Sequence, residues 1–302
     1  MLNRALSAWD KFWFGPQQLL NLACMRVVVT VTMLHLYFLR SWNLEYFTAD
    51  GIMPRELAIS SLEEIYRPLW GWFFWPDSLV PWMHGFFIFA LLLLVFGIGG
   101  RILMMITWVL HIGFIYRNYG VLFGADLMAS IFLFYLSFSK ACARLSILNL
   151  WRNKPVLLFS DPLTSAMMRM IQFQICIIYA FTGFEKLKGM SWWDGTALWS
   201  VFANPQMVFY DYGFLRHVPL VIALGSFVSI LFEIYFPAAM LNPKAKNSWL
   251  IFGVFFHLTI GLSMGLMHFS LLMISTYFLF IETKYLEMVW LRGRRLVLGV
   301  PN

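Results

Sequence analysis

Charge is what this sequence has least of. Only 12% of its 302 residues are Asp, Glu, Lys or Arg, where soluble domains carry about 25%. That excludes a solvated surface around a fold of this size. Cysteine is scarce as well. Cys24, Cys142 and Cys176 lie within or at the ends of apolar segments, with no CxxC spacing, and read as small buried hydrophobes. The sequence also lacks a Walker A run, an HExxH, a GxSxG and any Cys/His pattern with zinc-ligand spacing. His257 and His268 are separated by a break near Gly265, so no protein-bound metal is expected. There is no repeat of fixed period, no low-complexity tract and no linker, which predicts one membrane domain over residues 1–302. The N-terminal residues do not read as a cleavable signal peptide. Leu2, Leu6, Trp9 and Trp13 instead recur at helical spacing before Pro16, predicting an interfacial helix over 1–16.

Apolar residues are what is there. They make up 61% of the chain, with a mean hydropathy of +0.72, and they gather into long runs. Runs of about 18 or more read as spanning helices. The runs predict an all-α polytopic membrane bundle with eight spans, near 18–40, 79–99, 101–117, 124–143, 163–185, 218–241, 248–266 and 268–284. Basic residues occupy the short loops, so the net charge of +7 orients the chain and is no nucleic-acid signature. With the N-terminus in the cytoplasm, Lys and Arg are more frequent on the cytoplasmic side. The loop around Lys140, Arg144, Arg152 and Lys154 and the run Arg292-Gly-Arg294-Arg295 carry most of that bias. Both termini are therefore expected in the cytoplasm, with 285–302 as a basic tail near lipid headgroups. Two non-cytoplasmic loops are long, 41–78 with Trp42, Trp70, Trp72 and Trp75, and 186–217 with Trp192, Trp193 and Trp199.

Ionisable groups inside a bilayer cost a few kcal/mol even on lenient scales, so each needs a reason. Arg26 falls in the first span, His111 in the third, Glu233 in the sixth and His257 in the seventh. Arg26 and Glu233 are suitable partners, as a polar clamp between helices or as substrate contacts. His257 is either a proton carrier or a hydrogen-bonded packing residue. Arg117-Asn118-Tyr119-Gly120 and Gly124-Ala125-Asp126 form a polar turn, in which Asp126 either caps the fourth span or pairs with Arg117.

The densest chemistry runs from Tyr179 to Ala197, where a span ends in small residues and charges. Gly183 admits a neighbouring backbone. Lys186 follows three residues later, on the same face. A lysine at that depth is either a base or an anchor snorkelling to the interface. Trp193-Asp194-Gly195-Thr196 reads as a turn and helix start capped by Asp194 or Thr196.

The pattern Tyr-x-x-x-Gly-x-x-Lys-Leu at 179–187, followed by Trp-x-x-Gly at 192–195, resembles the signature of the HTTM (horizontally transferred transmembrane) family. These are membrane domains related to the vitamin K-dependent gamma-carboxylase, with SdpB-type membrane proteins among their bacterial relatives. The resemblance extends to the Arg26 helix, the turn Asp50-Gly51-Ile52-Met53-Pro54, the segment from Arg117-Asn118 to Asp126, the Glu233 helix, and His257 followed by Gly265 and Phe269. It implies that Lys186 is the base that deprotonates a quinol of menaquinone or vitamin K type, and that His257 matches a histidine of the late Phe-His helix. Arg26, Glu233, Trp193, Asp194, Arg117 and Asp126 become the candidate substrate-binding residues.

Two departures weigh against carboxylation of a protein substrate. The carboxylase carries a large extra lumenal region, while this sequence stops at Asn302. Glu185 also stands directly before Lys186. The resemblance therefore leaves two expectations beside a less favoured transporter. One is a small membrane enzyme acting on a quinol or small peptide at the non-cytoplasmic face. The other is a non-catalytic SdpB-type partner, with a co-encoded accessory protein or peptide, in maturation or secretion of a small peptide. The expected setting is a bacterial inner membrane, with the lipid bilayer as a partner and no nucleic acid.

Overall fold

The computed structural model describes residues 2–48, 51, 53–65, 67–70, 75–151 and 157–289. Asp50, Ile52, Trp72, Arg152, Lys154 and the Arg292–Arg295 run lie outside the described residues, as does the side chain of Trp70. The helices are α1 Leu2–Phe14, α2 Leu19–Arg40, α3 Arg55–Ser60, α4 Arg67–Trp70, α5 Val80–Val95, α6 Gly100–Arg117 and α7 Gly124–Ser137. They continue with α8 Ile147–Trp151, α9 Pro162–Lys188, α10 Met190–Trp193, α11 Ala197–Phe202, α12 Pro219–Leu241, α13 Pro243–Met264 and α14 Met267–Thr276. Among the described residues no strand forms, only an isolated bridge between Gln18 and Phe159. Prolines mark three of the long helix starts, Pro162, Pro219 and Pro243. An N–H is not needed there, and the fixed φ suits a first turn. Gly265 ends α13 in the left-handed conformation, where a glycine is unstrained.

Among the described residues, five helical stretches are long and apolar enough to cross a membrane: Leu19–Phe47, Asp77–Val95, Pro162–Lys188, Pro219–Leu241 and Pro243–Met264. The other three expected spans are also helical, but α7 has 14 residues and α14 has 10. At about 1.5 Å per residue, α7 is roughly 21 Å long, short of a hydrocarbon core of about 30 Å. Helix α6 has 18 residues and an arginine at or near each end, Arg101 and Arg117.

The chain groups into two compact units, Met1–Arg169 with Glu282–Asn302, and Met170–Ile281. In the first, α2 packs on α5, α5 on α6, and α6 on α7. The inward stripe of α2 is Leu22, Met25, Val29, Met33 and Tyr37, all fully buried and spaced by three or four residues, as one helix face requires. Lipid tails are as apolar as leucine, so close packing and internal hydrogen bonds hold such helices together. Tyr37 provides both. Its ring meets Phe87 at 4.3 Å and Phe114 at 5.4 Å, and its hydroxyl is 2.9 Å from His111 Nδ1. His111 Nε2 in turn lies 3.0 Å from the Asp126 carbonyl oxygen, which accepts its proton. Helix α1 carries exposed Leu6, Trp9, Phe12 and Phe14.

In the second unit, α12 packs on α13, and α13 on α14. Phe232 and Phe236 of α12 centre the core. Phe236 meets the Tyr179 ring of α9 at 4.1 Å in a tilted contact, and Phe232 meets Phe256 of α13 at 4.9 Å.

Candidate functional site

Tyr179, Gly183 and Lys186 share one face of α9, because steps of four and three residues return to the same side of a helix. Helix α12 lies against that face at Gly183. A Cβ there would stand 2.7 Å from Ile234 Cγ1, 3.0 Å from the Ile234 nitrogen and 3.2 Å from Glu233 Cβ. Only glycine leaves room for this approach. One turn further along, Lys186 Nζ donates to Glu233 Oε2 at 2.5 Å. The Glu233 side chain is 8% exposed and that of Lys186 21%. The ammonium also lies 5.2 Å from the Trp192 ring centroid, a cation–π distance. Pro237 sits within α12 and has no N–H for the Glu233 carbonyl, which thins the backbone ladder where the carboxylate is displayed.

About two turns away, roughly 10 Å along α9, Tyr179 makes the second half of the site. Its hydroxyl is 2.5 Å from both His257 Nε2 and the Tyr277 hydroxyl. Tyr277 reaches it by lying over Gly253, where a Cβ would stand 2.5 Å from the Tyr277 hydroxyl. The three groups can be bonded in either sense. Tyr277 donates to Tyr179 and Tyr179 to His257, or His257 donates to Tyr179 and Tyr179 to Tyr277. Reversing the order moves one proton across the histidine. Among the described residues, His257 Nδ1 is buried with no hydrogen-bond partner, as is Ser270 Oγ. Tyr179 stands in the signature run, and its place on the Gly183–Lys186 face was a readable signal. Tyr277 lies in an aromatic stretch and had none.

Nearby, Glu185, adjacent to Lys186, pairs with Lys188 at 2.6 Å. Trp193 is 56% exposed, and its indole N–H donates to the Leu187 carbonyl at 2.8 Å. Asp194 ends α10, and Thr196 at the start of α11 makes no side-chain cap. The Thr196 hydroxyl turns back toward the Ser191 carbonyl.

The remaining candidates belong to the first unit. Arg26 is fully buried and donates to the carbonyls of Ala141, Arg144 and Leu145 at 3.3, 3.4 and 2.8 Å. Its partners are thus backbone oxygens, and the acid that the sequence suggested for it, Glu233, holds Lys186. Arg117 does not take Asp126. It donates to Asp77 Oδ1 at 2.8 Å and to the Met53 carbonyl at 3.1 Å. Asp126 holds both ends of the Arg40 guanidinium at 2.8 Å, and it accepts the Phe123 N–H at the start of α7. Capping was foreseen; the Arg40 pair was not. Before α9, Asp161 bridges Arg101 at 3.0 Å and Lys140 at 3.1 Å. Partial burial alone would raise its carboxyl, but hydrogen bonds from Thr164 and Lys140 and the Arg101 charge hold it well below the usual carboxylate range.

Five long apolar helices with paired and hydrogen-bonded polar side chains define a multi-pass helical membrane protein. Over 120 residues, 38% of this chain, the sequence is 28% identical to the sporulation-delaying protein SdpB of Bacillus subtilis (strain 168). The match spans 37% of that protein's length, so it speaks for a relation to part of SdpB and not for a shared activity. No protein-family model matches the sequence. No solved structure matches it.

Proposed function

We propose that this chain is a small HTTM-type membrane enzyme in which Lys186 is the base, acting on a lipid-soluble quinol or a small peptide at the non-cytoplasmic ends of its spans. The observation that carries this reading is the 2.5 Å Lys186–Glu233 pair at the end of α9. A proton passed from Nζ to Oε2 leaves a neutral amine with a free lone pair, and Glu233 then holds the acid. His257, through Tyr179 and Tyr277, offers a second place to hold or release a proton.

These residues suit a quinol. A flat aromatic ring with two hydroxyls needs apolar walls and a few polar groups. The unit supplies Trp192 beside Lys186, Phe232 and Phe236, and the unpartnered His257 Nδ1. A bound quinol would supply the electrons, and dissolved O2 the oxygen atoms, for epoxide and water. Lys186 would take its proton, Glu233 would hold the amine in place, and the phenylalanines would keep water out. A bacterial inner membrane is the setting this reading assigns.

The test is epoxide formation by purified protein in lipid nanodiscs, given reduced menaquinone or vitamin K and oxygen and read by mass spectrometry. Epoxide is expected from the wild type, with loss of about 10²-fold or more in Lys186→Ala. Equal product in the variant, or none with either quinol, would overturn the reading.

The SdpB likeness favours a second reading, a non-catalytic membrane partner in the maturation or secretion of a small peptide. It predicts a co-encoded peptide or accessory protein that stays bound on purification, regardless of Lys186→Ala.

A further inference from the structure

The first unit contains a cavity of about 400 Å³ between the α5–α6 turn and the segment 139–149, with Gly97, Arg101, Lys140, Leu148, Asn149 and Leu157 in its wall. We infer that this cavity seats the phosphodiester headgroup of an anionic glycerophospholipid.

Charge is the first ground. Arg101 and Lys140 share one carboxylate, Asp161. A third cation stands directly behind the wall, since a Cβ on Gly97 would lie 2.6 Å from Arg26 Nη1. Arg26 is fully buried and donates to the backbone carbonyls of Ala141, Arg144 and Leu145. The wall and its backing therefore hold more positive than negative charge. Two buried donors, Arg26 Nε and Arg101 Nε, have no acceptor among the described residues. Helix α6 begins at the cavity wall, with no side-chain cap and no acidic residue in its first turn. Its free N–H groups and positive dipole end add to the attraction for an anion.

Depth is the second ground. The Gly97–Gly100 turn follows the span Asp77–Val95, and Asp161 directly precedes the span Pro162–Lys188. The cavity thus lies where spans end, at the level of headgroups. The third ground is its apolar border. Leu148 and Leu157 are in the wall itself. Ile147, Leu158 and Phe159 are exposed nearby, and Trp151 is 82% exposed. Free phosphate has no use for such a border, whereas a lipid brings acyl chains to cover it. Basic pockets at span ends are a known means of holding anionic lipid.

The experiment is native mass spectrometry of the full chain released from nanodiscs containing equal phosphatidylglycerol and phosphatidylcholine. The wild type is expected to retain phosphatidylglycerol selectively, and millimolar inorganic phosphate should not displace it. Arg101→Gln and Lys140→Gln should each lower that retention about fivefold. Because those substitutions also unpair Asp161, Leu157→Glu is the companion variant. It places a carboxylate at the exposed mouth and leaves the Asp161 pairs intact, and it should also abolish the preference. Equal retention of both lipids by the wild type, wild-type selectivity in Leu157→Glu, or displacement by inorganic phosphate would each overturn the inference.

Discussion

Lys186 and Glu233 meet at 2.5 Å one helical turn beyond Gly183, the residue whose missing side chain lets α12 reach α9. The pair and the glycine form one device. The glycine sets the helix separation, and the separation sets the ion pair. Removing one partner leaves the other charge half-desolvated. Glu233→Gln should destabilise the protein by about 1–3 kcal/mol, less than the roughly 3–5 kcal/mol for fully buried pairs because Lys186 is partly exposed. Lys186→Met with Glu233→Leu should recover most of the loss. Thermal melting in detergent checks this, and a double variant no more stable than the single ones would contradict it.

Gly183→Ala places a methyl 2.7 Å from Ile234 Cγ1. Overpacking of this kind costs about 1–3 kcal/mol. Adding Ile234→Ala should restore part of the stability, because it removes the atom in the way. Melting of the two variants side by side decides the point; no recovery would show that the backbone contact dominates.

Tyr179→Phe removes the hydroxyl shared by His257 and Tyr277. Both partners are buried, so the loss should be about 1–3 kcal/mol. His257→Phe should add little on top of it, since both changes break the same chain. Additive losses would mean that the hydroxyl and the imidazole act separately.

Asp161 makes stability depend on pH. Its folded carboxyl is held below the unfolded value of about 3.9. The folded state therefore binds fewer protons than the unfolded one in that range. Its contribution is fully present above about pH 4 and declines as pH falls below that. Asp161→Asn should lower the melting temperature at pH 7 and flatten the acid-side decline. A variant with the wild-type slope between pH 5 and pH 3 would contradict the assignment.

The long helices were legible because each is a run of apolar residues bounded by proline, glycine or charge. α7 and α14 were read too long, since an apolar run does not end where its helix ends. The Gly-x-x-Lys spacing put Lys186 on the Gly183 face but left it a base or an anchor. Its partner was not legible. A sequence gives the depth of Glu233 along α12 but not which helix packs against it, so Arg26 was read as its partner. The same gap hid Arg40 from Asp126 and Asp77 from Arg117, each pair joining segments distant in the chain. Tyr179 could be read from its place on the Gly183 face, whereas Tyr277 depends on the fold of the α13–α14 hairpin over Gly253.

The most direct test of Lys186 as a base is chemical rescue. Lys186→Ala in nanodiscs would be given quinol, oxygen and a series of small primary amines, with epoxide read by mass spectrometry. The account predicts that activity returns, rises with amine basicity, and returns only when Glu233 is present. A folded Lys186→Ala protein as active as wild type without amine, or one that no amine restores, would contradict it.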